Sequence, residues 1–181
     1  MKTWGYGGAP NQKWAFERAT QVGGAGAYRQ VNSTEVNCIA YALGLNKWLS
    51  PGYANKSTVT GAYNMELFYN GLVSKIEGHG LHCRRLSGKD AYIRPPEYKI
   101  VARAGEQSFP EITRRDSHFM VQINTSAWAE KMGSLPSENL GYINPAEHSW
   151  NFVLPDPETG EPVNHYTGFY DSPLIYIAIW E

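Results

Sequence analysis

Asn37-Cys38-Ile39-Ala40-Tyr41-Ala42-Leu43-Gly44 places a thiol in the opening turn of an apolar, alanine-rich segment. Cys38, Tyr41, Ala42, Leu45 and Leu49 recur at helical spacing, which predicts one buried helical face running past Gly44 and stopping at Ser50-Pro51-Gly52. Asn32 and Ser33 are the expected caps of the turn leading into it. A cysteine at such a place lies beside unpaired backbone N–H groups and a partial positive charge, which favour a thiolate and an oxyanion formed next to it. Cys38 is therefore a candidate nucleophile, and a nucleophile needs a base and a group to orient the base.

The 181 residues, 42% of them hydrophobic and 13% aromatic, suit one well-packed domain. Within it, residues 1–31 read as a loop-rich N-terminal segment, 32–133 as the core and 134–181 as a loop-rich closing segment with a final strand. A net charge of -1 from 16 basic and 17 acidic residues gives no field that would gather nucleic acid or an acidic membrane surface. The two cysteines, Cys38 and Cys83, make no disulfide framework, so a reducing compartment is expected. Met1 to Gly8 has no signal-peptide character and no apolar run is long enough to span a bilayer. A cytoplasmic start is expected, with any work elsewhere reached by a dedicated secretion route or by release from a larger polypeptide.

Little regular structure is predicted for the first thirty positions, where Val22-Gly23-Gly24-Ala25-Gly26 reads as flexible loop. A second helix is predicted over 64–73, ending near Gly78 to Gly80. Tyr98 to Arg103, His118 to Ile123, Ala127 to Met132 and Leu174 to Trp180 read as strands, while Pro145, Pro155, Pro157 and Pro162 mark the last third as loop. Helices first and strands after make an α+β layout.

Five histidines are available as base, and His118 stands out because it opens the best strand. If the chain folds back through Asn124, His118 falls directly opposite Glu130 on the same face, where a carboxylate can hold one imidazole nitrogen while the other faces a thiol. Cys38, His118 and Glu130 then form nucleophile, base and orienter.

This arrangement resembles the papain-like cysteine hydrolases, in particular the compact bacterial branch of NlpC-type and CHAP peptidases and amidases. Arg115-Asp116-Ser117-His118-Phe119 with Trp128-Ala129-Glu130-Lys131-Met132-Gly133 is also similar to a bacterial and phage group whose hairpin reads Asp-x-His-Phe, then Trp-x-His-Lys-x-Gly. Glu130 stands here where that group has its second histidine; Asn139, Asn124 and Asp116 are the reserve orienters. The resemblance covers 32–133 and implies a helix bearing the cysteine packed on an antiparallel β-sheet. It also implies a backbone N–H of Cys38 as one oxyanion donor, with Asn32 at the spacing of the papain-like glutamine.

The expected chemistry is attack by Cys38 on an amide or thioester carbonyl, with His118 moving the proton and no cofactor. Peptidoglycan stem peptides are the first expected substrate, as for a bacterial toxin, effector or phage-type module. Host proteins that are cleaved, deamidated or cross-linked are the second. A catalytically inactive binding module is the third reading. A monomer is expected, with a cognate immunity or inhibitor protein as partner if the chain is a toxin. His79-Gly80-Leu81-His82-Cys83 gathers three potential ligands, but no second ligand pair follows at a zinc-like interval, so it reads as a polar loop. Trp4, Tyr6, Trp14, Trp150 and Tyr166 line a groove or cover the core.

Overall fold

The computed structural model describes residues 31–94, 97–123 and 127–181, and within them two helices and eight strands follow in order. Helix α1 is Cys38–Leu43 and α2 is Met65–Gly78. The strands are β1 (His82–Leu86), β2 (Tyr98–Ser108), β3 (Thr113–Gln122), β4 (Trp128–Lys131), β5 (Ser137–Gly141), β6 (Phe152–Pro155), β7 (Pro162–Tyr166) and β8 (Ile175–Trp180). Six of them form an antiparallel sheet in the order β1-β8-β2-β3-β4-β5, and β6 with β7 makes a separate ribbon. The chain is α+β.

Helix α1 is shorter than its apolar pattern predicts. Gly44 adopts the left-handed conformation (φ 67°), and the N–H groups of Gly44 and Leu45 turn back to the Tyr41 and Ala40 carbonyls, closing the helix after Leu43. Leu45 and Leu49 are buried beyond it. The cap is Asn37, whose side chain accepts the Ala40 N–H; neither Asn32 nor Ser33 takes that place. All six residues of α1 are buried, so it is a central element and not an amphipathic surface helix. Burying side chains such as Ile39, Tyr41 and Leu43 contributes roughly 1.5–3 kcal/mol each.

Helix α2 starts at the Asn64 cap as predicted and runs on to Gly78, burying the single stripe Phe68, Leu72 and Ile76. Both helices cover one face of the sheet, against Ile100, Ala102, Phe119, Val121, Ala129, Ile177 and Ile179. The opposite face carries Val101, Met120, Trp128, Tyr176 and Ala178, and is covered by Trp150, Phe169 and Tyr170 from the closing third. Strand β8 lies between β1 and β2 with both faces covered, which is why its sequence is almost continuously apolar.

Besides the expected final strand β8, the last third supplies β5 and the β6–β7 ribbon, where loop was expected. Pro155 and Pro162 pair with each other at the turn end of a two-stranded ribbon, where a missing N–H costs little. His82 and Cys83, expected in a loop, belong to edge strand β1.

The β3–β4 hairpin also corrects the sequence reading. Met120, not His118, stands opposite Glu130. The Ile123 N–H reaches the Ala127 carbonyl, so the fold-back is centred one position later than Asn124 and every cross-strand pair shifts by two. Because side chains alternate with a period of two, His118 and Glu130 still share a face. Asn124 itself and the segment 1–30, with Trp4, Tyr6 and Trp14, lie outside the described residues.

Candidate active site

Three ladder pairs join β3 to β4, ending at Met120 and Glu130, which leaves the first half of β3 open on that side. The start of α1 enters this opening. The Cys38 thiol faces the Ser117 carbonyl on β3, Sγ to O 3.6 Å, and lines the same cleft as the His118 ring. Asn37 fixes the approach: its Nδ2 donates to the Leu49 carbonyl (2.5 Å) and its Oδ1 accepts the Ala40 and Leu49 N–H groups. The cap thereby ties the helix start to the chain that follows α1.

His118 points to the sheet face away from the helices, toward Trp150 and Tyr170, and is 2% exposed. Its Nε2 lies 2.7 Å from Glu130 Oε2, a contact made diagonally across the hairpin. That leaves Nδ1 as the nitrogen for Cys38. Burial alone would lower the affinity of this ring for a proton. The charge and hydrogen bond of Glu130, with the contribution of Cys38, outweigh burial and raise the imidazole to about 10. A buried imidazole held between a carboxylate and a thiol retains its proton and presents positive charge to the sulfur.

Aromatic rings fix the imidazole plane: Trp150 meets it edge-on at 5.8 Å between centroids and Tyr170 tilts over it at 5.4 Å. Trp150 is itself anchored, its Nε1 donating to the Pro145 carbonyl at 2.8 Å. Tyr170 donates to Asp116 Oδ2 at 2.7 Å, and Asp116 Oδ1 accepts the Ser117 N–H. Burial raises the Asp116 carboxyl, with the Tyr170 and Ser117 hydrogen bonds opposing the rise; burial and Asp116 together push the Tyr170 phenol well above its ordinary value.

Tyr170 reaches this position because residues 169–172 lie directly on β2. Ser172 is bonded to Ala104 through both its backbone N–H and its hydroxyl, and the Arg103 guanidinium donates to the Ser172 carbonyl. Gly105 allows the approach: a Cβ there would stand 2.4 Å from the Phe169 carbonyl oxygen.

Cys38 and His118 open into a cleft of about 250 Å³ between β6 on one side and Trp48 and Gly133 on the other. Arg114 stands at its rim, with its guanidinium over the Phe152 ring at 4.8 Å. A larger groove of about 710 Å³ adjoins it, sharing Met132 and Val153 and reaching Glu130. Glu138, Glu161 and His148 line this groove, and among the described residues no lysine or arginine does.

Cys38, His118 and Glu130 are brought together. Asn32 is not: it is exposed and does not line the cleft, because Asn37 rather than Asn32 leads the chain into α1. Asn139 is spent on the Gly141 N–H in β5, and Asp116 bonds Tyr170 rather than the imidazole. His79 Nδ1 meets the Lys75 carbonyl at 2.7 Å, while His82 stacks on Trp180. Among the described residues no group of His, Cys, Asp and Glu is arranged to hold a metal ion. Cys38 and Cys83 are both free thiols, and burial with the charge of Glu77 pushes Cys83 up to about 11.

Tyr170, Gly105 and the β6–β7 ribbon were missed by the sequence reading, whereas Trp150, expected in a groove or over the core, covers the sheet and meets His118. The ribbon had a usable signal: Asp156-Pro157-Glu158-Thr159-Gly160 is turn chemistry between two short segments containing β-branched residues. Comparison of the chain with protein-family models, with curated proteins and with solved structures gives no match. No helix among the described residues is long and apolar enough to cross a membrane.

Proposed function

We propose that this chain is a cysteine hydrolase, a peptidase or amidase of the papain-like kind related to the compact NlpC and CHAP enzymes. The observation that carries the reading is one buried imidazole bonded to Glu130 at 2.7 Å and lining the same cleft as the Cys38 thiol, with Cys38 and Glu130 both raising its affinity for a proton. A structural histidine needs one partner; this one has an acid and a thiol, and the thiol lines a cleft.

The Cys38 sulfur attacks the amide carbonyl while its proton resides on His118. As the tetrahedral intermediate collapses, the C–N bond breaks and His118 gives its proton to the departing amine. Water, deprotonated by the now neutral imidazole, then attacks the thioester, and the carboxylic acid leaves with Cys38 regenerated. Glu130 keeps the ring aligned and balances the imidazolium. The Cys38 backbone N–H is the candidate oxyanion donor, without the help once expected from Asn32.

Peptidoglycan stem peptides, whose diamino acid bears an amine, are the favoured substrate, because the groove beside the cleft offers Glu138 and Glu161 and, among the described residues, no lysine or arginine. The fitting role is a bacterial toxin, effector or phage-type enzyme. Incubation with purified sacculi tests this: new muropeptides in the mass spectrum with the native protein, and none with Cys38→Ala or His118→Ala, are expected. Unchanged sacculi together with ammonia release or cleavage of added protein would move the substrate to proteins.

A further inference from the structure

Lys131 immediately follows Glu130, and strand alternation sends the two side chains to opposite faces. Glu130 meets His118 in the layer of Trp150 and Tyr170, whereas Lys131 shares with Ala129 the face that packs under α1. Lys131 is fully buried. Its Nζ donates to the Gly133 carbonyl at 2.8 Å, and among the described residues no carboxylate lies within ion-pair distance of it. Lys99, the other buried lysine described, places its ammonium against two carbonyls, those of Lys89 and Ala91.

A buried ammonium without an anion is costly. The surrounding elements restrict where that anion can be. Helix α1 has no acidic or basic residue in its end turns. On β3 the near charges are His118, committed to Glu130, and Asp116, committed to Tyr170 and Ser117. On β5, Glu138 is exposed toward the groove. Cys38 packs over this face, in one buried cluster with Ala129, and its charge raises the Lys131 ammonium. Gly133, whose carbonyl the ammonium holds, lines the same cleft as Cys38.

We propose that Lys131 is a positioning residue that holds the charge of the Cys38 thiolate from the helix side of the sheet, opposite His118, and fixes the Gly133 wall of the cleft. This rests on the cysteine-hydrolase reading and deepens it. His118 shares its charge between Glu130 and the sulfur on one face of the sheet, and Lys131 adds a second cation from the other. Burial pulls the Lys131 ammonium down to about 8 and the Cys38 charge opposes that fall.

The test reads the sulfur directly and needs no substrate, so its outcome is separate from whether sacculi are cut. Iodoacetamide alkylation of Cys38 is followed by mass spectrometry from pH 5 to 10 for the native chain, Lys131→Met and Lys131→Arg, with folding checked by circular dichroism. Lys131→Met should alkylate about tenfold more slowly at pH 6 and converge with the native rate at pH 10, and Lys131→Arg should recover most of the loss. A folded Lys131→Met that alkylates at the native rate at pH 6 overturns the proposal. Should Lys131→Met not fold, the native chain decides: in lysine-13Cε-labelled protein, capping Cys38 as a methyl disulfide should move the lowest lysine titration to lower pH. A lysine titration indifferent to the cap overturns it.

Discussion

His118 Nε2 lies 2.7 Å from Glu130 Oε2 although the strand ladder sets Met120, not His118, opposite Glu130. The diagonal contact makes the pair depend on the full reach of the glutamate. Glu130→Gln should keep the fold and lower kcat by about 10–100-fold, and Glu130→Asp, one methylene shorter, should not restore it. Glu130 is also the foremost cause raising the imidazole, so an alkaline limb of kcat/KM governed by His118 should move to lower pH in Glu130→Gln than in the native protein.

The same imidazole makes stability fall at alkaline pH. Its folded-state value of about 10 lies above the unfolded 6.5, so its stabilising contribution is whole below pH 6.5 and is lost as pH rises toward 10. Urea unfolding from pH 6 to 10 should show the native chain losing stability relative to His118→Gln, by about 1.4 kcal/mol per pH unit at most.

Residues 169–172 should prove sensitive to small changes beneath and within them. Gly105→Ala forces a methyl group against the Phe169 carbonyl and should cost about 1–3 kcal/mol in urea unfolding, with kcat falling as Tyr170 is displaced from His118. Tyr170→Phe leaves the Asp116 carboxylate short of a donor in a largely buried site and should cost about 1–3 kcal/mol on the same measurement.

The sequence made legible what depends on period and local chemistry. The α2 stripe, the apolar run of β8 and the shared face of His118 and Glu130 all follow from side-chain alternation, which survives a register shift of two. What depends on a single backbone angle or on distant packing was not legible. Gly44 looked like a tolerable interruption, yet its left-handed conformation ends α1. Asn37 and Asn32 are equivalent as residue types, and only the path of the chain decides which one caps. Tyr170 reaches His118 through Gly105, some sixty-five positions away in sequence, a contact that no local pattern encodes. Lys131 reads as an ordinary strand cation until its burial is seen.

Competition between the two thiols tests the central claim most directly. Native protein is treated at pH 7 with less than one equivalent of iodoacetamide, and the alkylated peptides are quantified by mass spectrometry. Cys83 is restrained by a thiol raised to about 11, whereas Cys38 faces the His118 imidazolium. The account predicts a Cys38 adduct in at least about tenfold excess, falling sharply in His118→Ala. Preferential labelling of Cys83, or Cys38 labelling unaffected by His118→Ala, would contradict it.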